Sequence, residues 1–150
     1  MQAGGTLVTF AQAGTLAIQE FGLPVRNALE GVASTDFWSP GSTLKVNIDN
    51  EDPFAYGMPE RALATFLAAN QVYEVIPGSE NHTVKRVVEF GDRDILQSGQ
   101  LDGEDLIANR AAMVSVEHGD GEVVLIGFRT QHRAQTHGTY KFLFNALLGS

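Results

Sequence analysis

The chain has 150 residues, of which 18 are acidic, 10 are basic and none is cysteine. The hydrophobic fraction of 43% is sufficient for one folded core and too high for a disordered chain. The formal net charge of −8 argues against nucleic acid or an anionic membrane surface as a partner, because both bind basic surfaces. The lack of cysteine excludes disulfides, thiolate metal sites and a cysteine nucleophile.

Apolar residues alternate or recur at helical spacing along the chain, and turn residues separate these segments. No apolar run reaches the ~18 to 20 residues of a membrane span, and no signal peptide is evident. The pattern predicts strands at 5–10, 44–48, 72–76, 84–90, 95–96, 112–116 and 123–128, a short apolar segment at 25–29, helices at 11–21, 59–70 and 136–148, and helical turns at 103–109.

Two of these predictions rest on specific residues. Pro59 is favourable at the first position of a helix, and Leu63 and Phe66 then fall on one helical face. Asp120-Gly121 between two apolar runs indicates a β-hairpin. Strands that alternate with helices, together with a hairpin in the second half, predict an α/β fold with a mixed sheet and helices on both faces.

The acidic residues are unevenly distributed. All of them lie between Glu20 and Glu122, so the stretch from Val123 to Ser150 contains none. Basic side chains do occur there, and two explanations remain open. The cations could pair with carboxylates elsewhere in the fold, or they could form a local site for an anion.

The densest group of hydrogen-bonding side chains lies between the last strand and the last helix. Guanidinium groups and the start of a helix can together bind a carboxylate or a phosphate. The candidate ligand-binding residues are Arg129, His132, Arg133, Thr136 and His137. The alternative is a structural loop in which the two arginines fix carboxylates and Thr136 caps the helix.

Catalytic and metal-binding patterns are weak in this sequence. The turn after the first strand, Ala11-Gln12, carries no nucleophile, and no GxSxG, GxGxxG, Walker or HExxH motif occurs. A small hydrolase with His132 or His137 as the base stays open, although no serine or threonine stands out as its nucleophile. Neither a metal site nor any cofactor is expected in this chain.

Residues 124–129 and 131–148 resemble the C-terminal end of bacterial zinc carboxypeptidases in which a domain similar to class I glutamine amidotransferases follows the metallopeptidase. Segments 4–8, 21–25, 40–42, 56–59 and 95–99 occur in the same order in that domain. The resemblance implies a three-layer flavodoxin-like or amidotransferase-like sheet, truncated at its N-terminus, as a single domain over residues 1–150.

The resemblance also implies a function and partners. The chain is then a non-catalytic accessory domain of a zinc-carboxypeptidase-like protein, with the upstream peptidase domain as its partner and zinc only in that domain. Amidotransferase activity is not implied, since the chain has no cysteine. A truncated sheet exposes an edge, which predicts a homo-oligomer. Parent proteins of this kind suggest a secreted or periplasmic location. Against this reading stand the small-molecule binding module with Arg129 and Arg133 as an anion clamp, and the small hydrolase.

Overall fold

The computed structural model describes residues 3–78 and 82–149. Two helices and nine strands occur in these two ranges, with three single 3₁₀ turns between them. The strands are β1 (Thr6–Phe10), β2 (Val25–Asn27), β3 (Ser42–Ile48), β4 (Arg61–Phe66), β5 (Tyr73–Val75), β6 (Val84–Phe90), β7 (Leu96–Ser98), β8 (Ala111–His118) and β9 (Gly121–Ile126). The helices are α1 (Ala13–Phe21) and α2 (Tyr140–Leu148), and the 3₁₀ turns are Pro53–Ala55, Glu104–Leu106 and His137–Thr139.

All nine strands belong to one mixed sheet whose main path runs β1-β9-β8-β6-β3-β4. β2 pairs with β5, β5 touches β8, and β7 pairs with β3. The first strand lies parallel to the last, with Thr6 opposite Glu122, and every other described ladder is antiparallel. The carboxyl ends of β1 and β9 therefore lie side by side at one edge of the sheet.

The sheet carries one helix on each face. Successive side chains of a strand point to opposite faces. Val123 and Leu125 of β9 pack with Ala17 of α1, whereas Val124 and Ile126 lie in the cluster that includes Phe142 of α2. The predicted α/β class with a mixed sheet is confirmed, although strands dominate and the helices are few.

Several predicted elements are confirmed. The strands 84–90 and 44–48, the helix within 11–21 and the last helix all form, the last one after a 3₁₀ turn. The predicted hairpin joins β8 to β9, with His118 opposite Gly121 and a two-residue turn between them. Gly119 adopts a φ of 63°, which glycine accepts without steric cost.

The predicted helix at 59–70 is wrong. Residues 61–66 form strand β4, which pairs with β3 from Ser42–Phe66 to Asn47–Arg61. The same apolar residues satisfy an alternating pattern, in which Ala64 and Phe66 are buried and Leu63 is 39% exposed. A complete ladder with β3 outweighs the weak helical preference of this segment.

The hairpin places two carboxylates opposite each other, Glu117 and Glu122. Burial is the main cause that raises the pKa of Glu122 above its usual value. The charges of Asp52 and Glu117 add to this effect, and the nearby Ser115 and Lys85 oppose it. Like charges directly opposite each other in a sheet are destabilising.

We expect Glu122→Gln to stabilise the protein at neutral pH by about 0.5 kcal/mol, the scale of one cross-strand charge pair. Because the folded-state pKa of Glu122 is raised, the folded state holds its proton longer, so wild-type stability falls as pH rises from the unfolded value through the folded one. Thermal melts across this range should show the two curves converging at low pH. Glu20→Gln, at an exposed position of α1, serves as the control; a pH-independent difference contradicts the interpretation.

Candidate functional site

The carboxyl ends of β1 and β9 form the edge where loops of different parts of the chain meet. In open α/β sheets, ligands bind outside the carboxyl ends of the parallel strands. Here β1 leads through Ala11 and Gln12 into α1, and β9 leads through Gly127 into the loop that precedes α2. Both turns are joined to the sheet by hydrogen bonds, since the amide of Ala11 donates to Ile126 O at 2.8 Å.

Ala11 has the backbone shape of a nucleophile elbow but not its chemistry. It follows a strand, precedes a helix and adopts a φ of 47°, in the left-handed region that alanine rarely occupies. In hydrolases with such an elbow, a sharp strand-to-helix turn of this kind presents the nucleophile. The methyl group of Ala11 offers no lone pair, so this turn cannot act as an elbow nucleophile.

The loop after β9 is held at both ends by threonine hydroxyls. Thr139 is fully buried, and its hydroxyl donates to Thr130 O at 2.7 Å. Thr136 donates to Leu63 O of β4 at 3.0 Å. The predicted capping role of Thr136 is wrong, because its side chain makes no hydrogen bond to the amides of the turn that follows. These contacts position the intervening residues against the sheet edge.

Between Thr130 and Thr136 the loop folds into a tight hairpin. His132 and Gln135 exchange both backbone hydrogen bonds, at 2.7 and 2.9 Å. Arg133 and Ala134, the two central residues, have φ values of 49° and 61°. Two successive positive φ angles define a type I′ turn, which Asn-Gly usually supplies. Non-glycine residues there cost energy, and such strain persists only where the surroundings hold it.

The structure brings three of the five predicted site residues together. Arg129, His132 and Arg133 line one cleft of about 320 Å³, which we call the guanidinium cleft. Nη1 of Arg129 lies 3.4 Å from Nδ1 of His132. The hydroxyl of Thr136 is hydrogen-bonded to Leu63 of β4, and the ring of His137 packs edge-on against that of Tyr140, with centroids 5.5 Å apart. Thr136 and His137 are therefore not placed on this cleft.

The charge balance around the guanidinium cleft is unusual for an acidic protein. Five of the ten basic side chains form ion pairs with carboxylates: Arg26, Lys45, Arg86, Arg93 and Arg110. Within residues 3–78 and 82–149, neither Arg129 nor Arg133 has a carboxylate within ion-pair distance. The alternative, in which both arginines pair with neighbouring carboxylates, is therefore not supported by any ion pair in this part of the chain.

The hydrolase alternative also lacks its geometry. A base must lie within hydrogen-bond reach of its nucleophile. The contacts seen for His132 and His137 involve Arg129 and Tyr140 rather than a serine or threonine hydroxyl. In the described ranges no three His, Asp or Glu side chains gather closely enough to hold a metal ion, and no helix there is long and apolar enough to cross a membrane.

A second cleft, which the sequence did not reveal, lies on the other side of the Ala11 turn. It encloses about 570 Å³ between the start of α1, segment 27–39 and segment 68–71. We call it the amide cleft, after Gln12, Asn27, Asn70 and Gln71, which line it together with Trp38. The predicted helix at 59–70 had placed Asn70 at a helix end, where no binding role is visible.

A buried hydrogen-bond network fixes one wall of the amide cleft. Tyr73 donates to Oε1 of Gln71 at 3.1 Å, and Nε2 of Gln71 donates to the Thr15 hydroxyl at 2.5 Å. Burial raises the pKa of Tyr73 well above its usual value, so its hydroxyl keeps the proton that it donates. Gly14 packs directly against this pair, and a Cβ there would clash with the Tyr73 hydroxyl. The wall is therefore rigid before any ligand arrives.

Comparison with known proteins identifies the fold. A solved structure described as a putative ThuA-like protein from Bacteroides uniformis superposes with a TM-score of 0.52 and 14% identity, over 98% of this chain and 58% of that one. The cytoplasmic protein STM3548 from Salmonella typhimurium gives a TM-score of 0.54 and 13% identity, over 99% and 55%. The chain thus spans slightly more than half of either protein. No family model matches it, and no curated protein matches it by sequence.

The predicted relationship to zinc carboxypeptidases is wrong. The two solved structures compared above are a putative ThuA-like protein and a cytoplasmic protein, and neither is described as a peptidase or as part of one. The predicted accessory-domain function and the predicted peptidase partner domain are therefore also wrong. The homo-oligomer was inferred from a truncated domain of that family, so this inference is no longer supported. The glycine-rich segments that suggested the family lie at turns, such as Gly4, Gly5 and Gly22 with positive φ.

Proposed function

We propose that this chain is a binding module that holds a small anion in the guanidinium cleft. The observation that carries the proposal is the pair of arginines, Arg129 and Arg133, which line one cleft and have no carboxylate partner in the described residues. Two guanidinium groups that line one cleft carry like charges, and a bound anion offsets the repulsion between them. The 28 residues from Val123 to Ser150 carry no acid that could do so locally.

The donor geometry favours a phosphate or a carboxylate. A guanidinium presents parallel N–H groups that match two oxygens of either anion. His132 accepts from Arg129 when its Nδ1 is unprotonated, which orients that guanidinium towards the cleft. Phe10 and Leu143 form the apolar part of the lining. The second arginine, Arg133, belongs to the tight turn at residues 132–135 and lines the same cleft.

For the fold, we propose the finer assignment of a three-layer sheet of the flavodoxin-like or class I amidotransferase-like kind. Its support is the parallel β1–β9 pair, the strand-to-helix turn at Ala11 and the helix on each face. The high strand content and the many antiparallel ladders depart from an all-parallel sheet of that kind. A binding site at the carboxyl ends of the parallel strands agrees with this architecture.

The test is anion-dependent thermal stability. At about 10 mM, phosphate or citrate should raise the melting temperature of the wild-type protein by about 2–4 °C, because a ligand specific to the folded state stabilises it. The double variant Arg129→Ala/Arg133→Ala should lose that increase while it keeps the fold, since both side chains are exposed. Differential scanning calorimetry at low ionic strength, with sodium chloride at matched ionic strength as the blank, measures it.

Arg61→Ala is the matched control, because Arg61 is an exposed arginine on β4 outside the guanidinium cleft. It changes the net charge by the same amount as each single substitution in the cleft. Retention of the anion effect in the double variant, or its loss in Arg61→Ala, would show that the stabilisation reports general screening of charge. Absence of any anion effect in the wild type rejects the proposed function.

A further inference from the structure

Two residues that line the amide cleft each carry a buried polar atom that lacks a partner within the described residues: Oγ of Ser39 and Oδ1 of Asn70. Ser39 is 3% exposed and Asn70 is 5% exposed. A buried polar atom without a hydrogen bond is costly, and folded proteins rarely leave one unsatisfied. Nδ2 of Asn70 donates to Thr65 O at 3.1 Å, so the oxygen is the atom of this amide that stays available.

These atoms define what a ligand must bring. Oδ1 of Asn70 accepts hydrogen bonds only, and Oγ of Ser39 can accept one. A ligand edge with hydroxyl or amino donors therefore satisfies both atoms. Because folding has already removed water from them, each new hydrogen bond is formed without a further desolvation cost to the protein. The rigid Gln71 wall adds preorganised polar groups beside them.

The charge of the amide cleft selects against anions. None of its lining residues is lysine, arginine or histidine, and the sole ionisable side chain among them is the acidic Glu30. A carboxylate or phosphate here would find no cation and would be repelled by Glu30. The amide cleft is thus chemically opposite to the guanidinium cleft across the Ala11 turn.

Trp38 supplies an apolar surface for the other side of a ligand. Its side chain lines the amide cleft and is 41% exposed, whereas its backbone is fixed by two hydrogen bonds with Asp102, at 3.1 and 2.9 Å. An indole on a fixed backbone offers a flat, rigid face on which a ring can stack. Phe37 lies beside it in the same lining.

We infer that the amide cleft is a second binding site, for an uncharged ring molecule that stacks on Trp38 and donates hydrogen bonds from its edge to Asn70 and Ser39. Both atoms have almost no exposed surface, so the proposal requires neighbouring side chains to rotate before the ligand reaches them. Neutral sugars and nucleosides both carry this chemistry. The site is independent of the guanidinium cleft and does not rest on the proposed anion function.

The chain has a single tryptophan, so its fluorescence reports on this cleft alone. Glucose and adenosine are the probes, with gluconate and adenosine monophosphate as their anionic counterparts, and excitation at the red edge of the indole band avoids absorption by adenosine. We expect a saturable change in Trp38 emission with at least one uncharged probe at about 10 mM. Its anionic counterpart should bind at least about tenfold more weakly, because the amide cleft offers no cation to pair with the added negative charge.

Two variants locate the effect. Ser39→Ala removes an unpartnered hydroxyl, so the protein should fold at least as well and bind the active probe about fivefold more weakly. Trp38→Ala should abolish the probe-dependent rise in melting temperature, whereas Tyr56→Ala, at an aromatic residue that is 77% exposed and outside the lining, should retain it. Which probe acts distinguishes a polyhydroxyl ligand from a heteroaromatic one.

The inference is overturned if neither uncharged probe changes Trp38 emission, or if the anionic counterparts bind as tightly as the uncharged probes. It is also overturned if Ser39→Ala and Trp38→Ala leave binding unchanged. Failure of the anion test at Arg129 and Arg133 does not affect these outcomes, because that test reads thermal stability with phosphate or citrate. The two proposals can therefore fail separately.

Discussion

Gly127→Ala is expected to destabilise the protein by about 3 kcal/mol or more, with a melting temperature lower by about 10 °C. Gly127 follows β9 and is hydrogen-bonded on both sides, to Ala112 O at 2.8 Å and from the amide of Gln71 at 2.7 Å. A Cβ there would overlap the Gln71 carbonyl oxygen and lie 2.9 Å from Ala112 O. Both obstacles are backbone atoms, so no side-chain rotation relieves the clash.

Gly127→Ala should also weaken ligand binding in both clefts, because Gly127 leads into the Arg129 loop and is hydrogen-bonded to Gln71. Chemical denaturation and calorimetry measure the loss of stability. Gly138→Ala is the matched control, because a Cβ at Gly138 meets no atom within 4 Å and its φ is not positive. Equal stabilities of the two variants would contradict the argument that the backbone atoms around Gly127 leave no room for a side chain.

Phe142→Ala is expected to cost about 3–5 kcal/mol, the range for truncation of a buried phenylalanine. Phe142 is fully buried, and its ring meets that of the equally buried Phe128 edge to face, with centroids 5.9 Å apart. α2 has nine residues, too few for a stable helix in isolation, so its order depends on such packing. Loss of the ring should therefore loosen the whole helix.

Amide hydrogen exchange along α2 should accelerate in Phe142→Ala together with the drop in unfolding free energy. Asn145 and Lys141 donate to backbone carbonyls of segment 54–57, and these bonds should open as the helix loosens. Phe144→Ala removes an equally large ring that is 54% exposed, and should cost less than about 1 kcal/mol. A comparable loss in both variants would contradict the packing argument.

The elements that the sequence predicts correctly are those whose pattern allows one interpretation. Strict alternation in β3 and the Gly-Asp-Gly sequence at the turn after β8 need no information from the rest of the chain. β4 is different, because Leu63 and Phe66 fit a helical face and a strand equally well. Its ladder with β3 decides between them, and that ladder is a tertiary contact.

The guanidinium cleft was partly predictable, since an acid-free stretch with two arginines already suggested unpaired cations. The tight turn at Arg133-Ala134 was not predictable, because neither residue favours positive φ. The amide cleft left no sequence signal, as Ser39 and Asn70 are distant in sequence and common as surface residues. What distinguishes these two residues is a buried polar atom without a hydrogen-bond partner, and only the folded structure shows this.

The parallel pairing of β1 with β9 has a consequence for how the chain acquires its structure. β1 is synthesised before its ladder partner, which follows more than a hundred residues later, with Thr6 opposite Glu122. Closing so long a loop is entropically costly, and non-local pairing of this kind slows folding. A nascent chain arrested before Gly121 therefore carries β1 without this partner. The guanidinium cleft, which Phe10 lines together with residues 129–133 and Leu143, therefore cannot form before these later residues have been made.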